Sequence, residues 1–181
     1  MTNIRRYAFP LKDTAIGPAG GAAAHPVAIE TFEAARDFAA VAALLDECRG
    51  AGAGMAAGLR AEGLLAELAG RAGRTARSWV WRTDAGGIDG LVCLALSGEA
   101  ERRRFSIPWL VVAPSCRRHG VGSHLVLHAM RAARSAGAIE VHAETRQDWL
   151  DAVAFWERVA DRFRNGGGTA ALSDPLLQPQ S

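Results

Sequence analysis

The segment from Leu110 to Leu125 constrains the fold more than any other part of the chain. It reads Leu-Val-Val-Ala-Pro-Ser-Cys-Arg-Arg-His-Gly-Val-Gly-Ser-His-Leu, so an apolar run stops at a proline, crosses a short basic turn and enters a helical pattern at two glycines. The run predicts a buried strand, and the apolar positions after Gly120 recur at helical spacing. A buried strand that runs directly into a helix indicates an α/β fold.

The turn between this strand and this helix has the features of an anion-binding site. The first N–H groups of a helix lack intrahelical acceptors and lie at the positive end of the helix dipole. Gly120 and Gly122 remove side chains that would keep an anion from these amides, and Arg117 and Arg118 add positive charge. Glycine spacing alone leaves two interpretations open, a diphosphate site and a tight turn with exposed arginines. A dinucleotide fingerprint is excluded because Leu125 stands where its third glycine is required.

The rest of the chain predicts strands and helices in a mixed order. Apolar residues at helical spacing predict two early helices, one from Phe38 to Cys48 and one between Leu59 and Leu68, after a short strand at residues 27–30. Further strands are predicted at 78–82, 88–96, 105–113 and 139–144, and further helices after Gly120 and from Asp148. Because turns join the middle strands, the sheet is predicted to be largely antiparallel.

Three regions differ in composition. Residues 1–25 are predicted to form a flexible arm, because glycine and alanine fill residues 19–24 without periodicity. Residues 26–165 are predicted to form the folded domain. Residues 166–181 begin with glycines and end in a Pro- and Gln-containing stretch, which predicts a weakly ordered tail.

Composition and charge exclude several classes of protein. The apolar stretches are too short to span a bilayer and the N-terminus lacks a secretory pattern, so we expect a cytoplasmic protein with no membrane partner. A net charge of only +2 disfavours nucleic acid as a partner. Cys48, Cys93 and Cys116 form no C-x-x-C pair, and His124 and His128 have no evident third ligand. We therefore expect no metal site.

The segment at Leu110 resembles motif A of the GNAT superfamily of N-acetyltransferases. That motif runs L-x-V-x-P-x-x-R/Q-x-x-G-x-G/A, and six positions fall on it in register: Leu110, Val112, Pro114, Arg117, Gly120 and Gly122. The resemblance extends over roughly residues 26–160, since the order of predicted elements is also that of the family. It implies a GNAT-like fold, with a mixed, mostly antiparallel sheet flanked by helices and two strands splayed around an acyl-CoA site.

The resemblance also implies acetyl-CoA as the acyl donor, without a metal. Its pyrophosphate would bind the loop and helix start made of Arg117, Arg118, His119, Gly120, Val121, Gly122 and Ser123. The strand end formed by Leu110, Val111 and Val112 is similar to the segment that pairs with pantetheine. The thioester would lie between this strand and residues 139–145. The acceptor, an amine of a small molecule or a protein, would enter from the other side, often over the first two helices.

The last helix resembles motif B of the family, commonly N-x-x-A-x-x-F/L-Y-E, but departs from it at two positions. Trp149 stands where Asn is common, and Trp156 stands where a Tyr often protonates the departing thiolate. An indole N–H cannot take that role. Ser106 stands where histone-type members carry a Glu that acts as the general base.

Two side chains on the strand at 139–144 are candidates for the base that an amine acceptor requires. Glu144 lies nearest the end of the strand where the splay opens, and His142 is a histidine, the residue type that most often acts as a general base. A solvated strand face is the alternative interpretation of both. We expect an N-acetyltransferase that acts by direct transfer in a ternary complex. A catalytically degenerate acyl-CoA sensor or interaction module is the alternative, and a homodimer stays open.

Overall fold

The computed structural model describes residues 3–11, 29–50, 61–68, 75–83, 85–97 and 104–166. The strands are β1 (Ile4–Pro10), β2 (Ile29–Thr31), β3 (Thr75–Arg82), β4 (Ile88–Ser97), β5 (Arg104–Val112) and β6 (Glu140–Arg146). The helices are α1 (Ala34–Gly50), α2 (Ala61–Leu68), α3 (Val121–Ser135) and α4 (Leu150–Gly166), and a 3₁₀ turn covers Pro114–Cys116. No helix within these ranges combines the length and the apolar character that a membrane span requires.

The six strands form one sheet in the order β1-β6-β5-β4-β3-β2. Four of the five neighbouring pairs are antiparallel, and only β5 and β6 run parallel. The prediction of a mixed, mostly antiparallel sheet flanked by helices is therefore confirmed.

Helices cover the sheet on both faces. Helices α3 and α4 pack on one face over a core that includes Tyr7, Phe9, Leu125, Val141 and Trp156. Helices α1 and α2 pack on the other face, against β3, β4 and β5. Because side chains alternate along a strand, β3, β4 and β5 each contribute to both layers, whereas the apolar side chains that β1 and β6 bury lie in the α3–α4 layer.

The two parallel strands separate partway along their length. Their pairing ends at Ile107 opposite Ala143, although β5 continues to Val112 and β6 to Arg146. On the other side of β5 a bulge sets two residues, Ile107 and Pro108, against the one β4 residue between Cys93 and Ala95. Proline has no N–H for a ladder hydrogen bond, and a bulge bends its strand. The predicted splay is present, and Pro108 lies where it begins.

The prediction of a flexible N-terminal arm is wrong for Ile4–Pro10, which form the edge strand β1. This strand pairs antiparallel with β6 along its whole length. Tyr7, Phe9 and Leu11 are buried, while Arg6 and Ala8 are exposed. This alternation has the period of a half-buried strand. The arm was predicted from the composition of residues 19–24, which says nothing about the strand that precedes them. The rest of the predicted arm, except residues 3 and 11, and the predicted tail from residue 167 onward lie outside the described residues.

A glycine in β4 positions the start of α3 close to the sheet. A Cβ atom at Gly90 would lie 2.8 Å from Leu125 Cδ1 and 3.1 Å from Val121 Cγ1. Only a glycine lets the first turns of α3 approach β4 this closely without a shift.

A buried carboxylate ties α1 to β3 and to the loop that precedes α1. Asp37 is 0% exposed, and its carboxylate accepts hydrogen bonds from Arg82 at 2.8 Å, from Arg36 at 2.8 Å and from the Glu33 amide at 2.9 Å. Burial alone would raise the pKa of Asp37, but these hydrogen bonds outweigh it and hold the pKa well below its usual range.

Candidate active site

The end of β5 presents backbone groups to the gap left by the splay. The Ala113 N–H donates to the Asp89 carbonyl over 2.7 Å, so Ala113 faces β4. Because the N–H and C=O groups of successive residues alternate in direction along a strand, those of Val111 also face β4, whereas those of Leu110 and Val112 face the β6 side. Val111 is 1% exposed and packs in the α1 layer. Of the three predicted pantetheine contacts, the structure thus directs Leu110 and Val112 toward the gap and Val111 away from it.

Helix α3 begins beside this strand end with open amide groups. Gly120 is its N-cap, in the left-handed conformation with φ 82°, and no side chain caps the helix. The first helical hydrogen bond runs from the His124 N–H to the Gly120 carbonyl at 3.0 Å. Helix geometry therefore leaves the N–H groups of Val121, Gly122 and Ser123 without intrahelical acceptors. These amides lie at the positive end of a 15-residue helix, where an anion is stabilised.

The second glycine of the loop lies where β5, α3 and α4 meet. A Cβ atom at Gly122 would lie 3.3 Å from Phe155 Cε2 and 3.6 Å from Val112 Cγ2. The sequence predicted that Gly122 keeps a side chain away from a bound anion. The structure shows a tight packing contact with Phe155 as well, so a larger residue here would push apart the two helices that flank the gap.

The two loop arginines have different positions. Arg117 folds back, and its Nε donates to the Val112 carbonyl at 3.3 Å. Arg118 adopts a positive φ of 64° and its side chain is 89% exposed, 4.0 Å from Asp151. The neighbouring His119 is also exposed. Only Arg118 of the two arginines thus extends into solvent, and Arg117 fixes the end of β5.

Two cysteines lie behind the loop in the α1 layer. The Cys48 thiol contacts the Val112 carbonyl at 3.6 Å, and the Cys116 thiol donates to Asp89 at 3.1 Å. Burial raises the pKa of both thiols. Both are therefore neutral near pH 7, which argues against a thiolate nucleophile.

Both predicted base candidates lie on the face of β6 opposite α4. Val141 and Ala143 pack in the α3–α4 core, so His142 and Glu144 face the other way. Glu144 directly follows Ala143, the last residue of β6 that pairs with β5. Its Oε1 accepts a hydrogen bond from Arg6 Nε at 2.7 Å. The His142 Nε2 lies 2.7 Å from the Glu140 carboxylate.

Trp156, at the position where the resemblance would place a tyrosine, is a core residue. It is 5% exposed, and its ring stacks on Tyr7 with centroids 6.2 Å apart. The Tyr7 hydroxyl donates to the Val153 carbonyl of α4 at 3.4 Å, and burial raises the pKa of this phenol. The phenol at this end of α4 therefore comes from β1, which the sequence reasoning did not include in the fold.

The histidines of α3 are packing residues. His124 lies against Trp81 and its Nδ1 is 3.1 Å from the Gly120 carbonyl, while His128 lies edge-on to Trp79. Burial lowers the pKa of His128, which favours the neutral ring. In the part of the chain that the structure describes, no three His, Cys, Asp or Glu side chains are grouped to hold a metal ion.

Sequence reasoning missed two residues at the gap, Arg6 and Pro108. A proline inside an apolar run is itself a signal for a bulge, and would have marked the place where the strands separate. The period-two pattern from Tyr7 to Leu11 was the signal for the strand that carries Arg6.

Comparison with known proteins matches this sequence to one family. The family model described as the acetyltransferase (GNAT) family matches residues 53–160. This confirms the resemblance that motif A indicated. No curated protein matched the sequence.

Solved structures with the same fold include acetyltransferases of three organisms. A GNAT-family protein from Desulfovibrio desulfuricans has a TM-score of 0.60 at 21% identity, covering 74% of this chain and 83% of its own. An acetyltransferase from Trypanosoma brucei has a TM-score of 0.54 at 22% identity, with coverage of 74% and 90%. A GNAT-family acetyltransferase from Brucella melitensis, solved in complex with acetyl-CoA, has a TM-score of 0.51 at 22% identity, with coverage of 63% and 72%. At these identities the likeness establishes the fold alone.

Proposed function

Because the chain belongs to the acetyltransferase (GNAT) family, we propose that it transfers an acetyl group from acetyl-CoA to a primary amine. The acceptor is an amine of a small molecule or of a protein, and transfer is direct in a ternary complex.

One observation carries this proposal: the gap between β5 and β6 opens beside the start of α3, which no side chain caps. Pairing between β5 and β6 stops after Ile107 and Ala143, and α3 begins at Gly120 beside the free end of β5. An anion at the helix start and an extended chain along Leu110 and Val112 would lie on one continuous path. An acyl-CoA has this form, a diphosphate joined to an extended amide-containing arm.

The residues present fit such a donor. The amides of Val121, Gly122 and Ser123 would hold the pyrophosphate, and the exposed Arg118 would add charge from solvent. The backbone groups of Leu110 and the N–H of Val112, which face the gap, would pair with the amides of the arm. The donor supplies a thioester, whose carbonyl carbon is attacked by the amine nitrogen. Arg117, held on the Val112 carbonyl, would support the strand end without touching the donor.

The chain's own chemistry is the removal of a proton from the acceptor. An ordinary alkylamine is mostly protonated at pH 7, and it must lose a proton before it attacks a carbonyl carbon. We assign this step to Glu144, acting through water, because it is the first β6 side chain beyond the paired region. The amine nitrogen forms a bond to the acetyl carbon, the carbon–sulfur bond breaks, and the CoA thiolate takes up a proton from solvent. His142 is the second candidate for the base.

An acyl-CoA sensor without turnover is the second candidate function. It is favoured by the burial of Trp156 in the core, which leaves the α4 position of the usual acid without a titratable group. It is also favoured by the Arg6 guanidinium that engages Glu144.

Two measurements on the wild-type chain separate these functions. Calorimetry measures the Kd of acetyl-CoA, and a thiol assay measures CoA release with a panel of primary amines. The proposed enzyme binds acetyl-CoA and releases CoA only when an amine is present. Tight binding with no amine-dependent release would favour the sensor, and an absence of binding would contradict both functions.

A further inference from the structure

A pair of opposite charges lies beside the gap, on the face of the sheet opposite α4. Arg6 of β1 is the direct cross-strand partner of Glu144 of β6. Their side chains point away from α4, because Tyr7 and Ala143 point toward it. Arg6 Nε and Glu144 Oε1 are 2.7 Å apart.

This ion pair is accessible and easily opened. The side chains are 78% and 53% exposed, and ion pairs at such positions contribute little to stability. Neither residue is needed to hold β1 in place, because β1 pairs with β6 along the backbone and buries Tyr7 and Phe9. A ligand that offers a better partner to each charge can therefore separate the two side chains.

The other charged residues of β6 that lie near this pair have partners of their own. Arg146, two residues farther along β6, is bound by Asp148. Glu140 is bound by His142 and lies in the paired part of the strand. Among the described residues of β6, Glu144 thus combines proximity to the gap with an exposed cationic neighbour.

We propose that the acceptor is an amine that also carries a carboxylate, as an α-amino acid does, and that Arg6 selects it. This inference rests on the proposed function. A plain amine that approaches Glu144 displaces Arg6 and leaves the guanidinium without a partner. An acceptor with both groups places its amine at Glu144 and its carboxylate on Arg6, whose planar fork suits a carboxylate. The pair thus acts as a two-point recognition site on the open face of β1 and β6.

The test compares acceptors that differ only in the carboxylate. L-Phenylalanine is paired with phenethylamine and L-lysine with cadaverine, and kcat/KM is measured for each. Wild type should prefer the amino acid in each pair by about two- to fivefold, the scale of one exposed ion pair. Arg6→Gln should reduce this ratio to near one. The ratio does not depend on the active fraction, so a partly unfolded variant does not distort it.

Arg5→Gln is the matched control. Arg5 is adjacent on the same strand and also forms an exposed ion pair, with Glu157 at 2.7 Å, but it faces α4. Its replacement should leave the ratio at the wild-type value. A wild-type ratio of one or less, or an Arg6→Gln ratio equal to wild type, overturns the inference while the acyltransferase proposal stands. An absence of transfer to every amine overturns both.

Discussion

Ile107 of β5 lies opposite Ala143 of β6 in the last parallel pair of the sheet. Beyond this pair Pro108 and the bulge turn β5 away, and Glu144 is the first β6 residue without a partner on β5. The proposed donor site along β5 and the proposed base on β6 therefore lie on opposite sides of the gap that begins at this pair. The proposed chemistry depends on this geometry, because the acyl carbon must lie between the two strands.

Glu144→Gln should lower kcat by roughly 100-fold or more, the usual scale for the loss of a general base. The Kd of acetyl-CoA should not change, since Glu144 lies across the gap from the α3 loop. The measurement is steady-state kcat with calorimetry on the same preparation. Normal turnover in both Glu144→Gln and His142→Ala would show that the base lies elsewhere.

Trp156→Phe provides the contrasting case. Its indole is buried against Tyr7 and Phe9, so the smaller ring should lower the free energy of unfolding by about 1–3 kcal/mol through the space it leaves. Most of kcat should remain, because no proton moves through this ring. A loss of kcat as large as that of Glu144→Gln, in protein that is still folded, would contradict this assignment.

Arg118 and Arg117 should differ in how they affect acetyl-CoA binding. Arg118→Ala should make the affinity less dependent on salt, because an exposed charge acts through a screened interaction. Arg117→Ala should lower the melting temperature with little effect on the salt dependence, since Arg117 bonds the end of β5. The measurement is Kd by calorimetry from low to high salt. Equal salt slopes in wild type and Arg118→Ala would show that Arg118 belongs only to a solvated turn.

Gly122→Val should weaken acetyl-CoA binding by tenfold or more, on the order of 1.4 kcal/mol. The added side chain meets the Phe155 ring and crowds the approach to the α3 amides. The double variant Gly122→Val/Phe155→Leu separates these causes, because it keeps the added side chain and removes the ring that it meets. Recovery of affinity in the double variant assigns the effect to packing. An unchanged Kd in Gly122→Val would contradict the loop as the donor site.

Asp37→Asn should lower the free energy of unfolding by about 3 kcal/mol, because it breaks a buried charge network and leaves Arg82 with a neutral partner. Asp46→Asn is the control, since Asp46 pairs with Arg49 at the surface and should cost under about 1 kcal/mol. Urea denaturation at pH 7 measures both. Equal losses in the two variants would mean that the network contributes no more than a surface pair.

The same carboxylate makes stability depend on pH. The pKa of Asp37 is lowered in the folded state, whereas an unfolded Asp titrates near about 3.9. Its contribution is therefore fully present above about pH 5 and is lost as the pH falls below about 4, toward the folded pKa. Between pH 5 and 3 wild type should lose more stability than Asp37→Asn, as measured by urea denaturation. Parallel losses would contradict this linkage.

Much of the fold was predictable because its periodic segments are long. Helices α1, α3 and α4 and strands β3 to β6 lie where periodicity placed them, within a few residues at their ends. The α3 loop was predictable because glycine and proline report local backbone conformation, and Gly120 has the positive φ that its glycine allows.

Contacts between distant segments were not predictable from one sequence. The β1 strand pairs with a segment at least 130 residues away, so no local signal could place Arg6 opposite Glu144. The last helix was expected to begin at Asp148, but the Asp148 carboxylate pairs with Arg146 and the helix begins at Leu150. Arg117 was predicted as an anion ligand from the motif, which does not report that its side chain also bonds the chain's own strand end. Side-chain partners depend on tertiary neighbours that periodicity does not encode.

The most direct test of the account is a titration of the isotope-labelled chain with acetyl-CoA, followed by backbone amide NMR. The account predicts that the largest shifts fall on the amides of Gly120 to Ser123, with a second set at Leu110 and Val112. Amides of α1 far from the loop should move little. Binding that shifts none of these amides, or no binding at millimolar acetyl-CoA, would contradict the claim that the start of α3 and the end of β5 form the donor site.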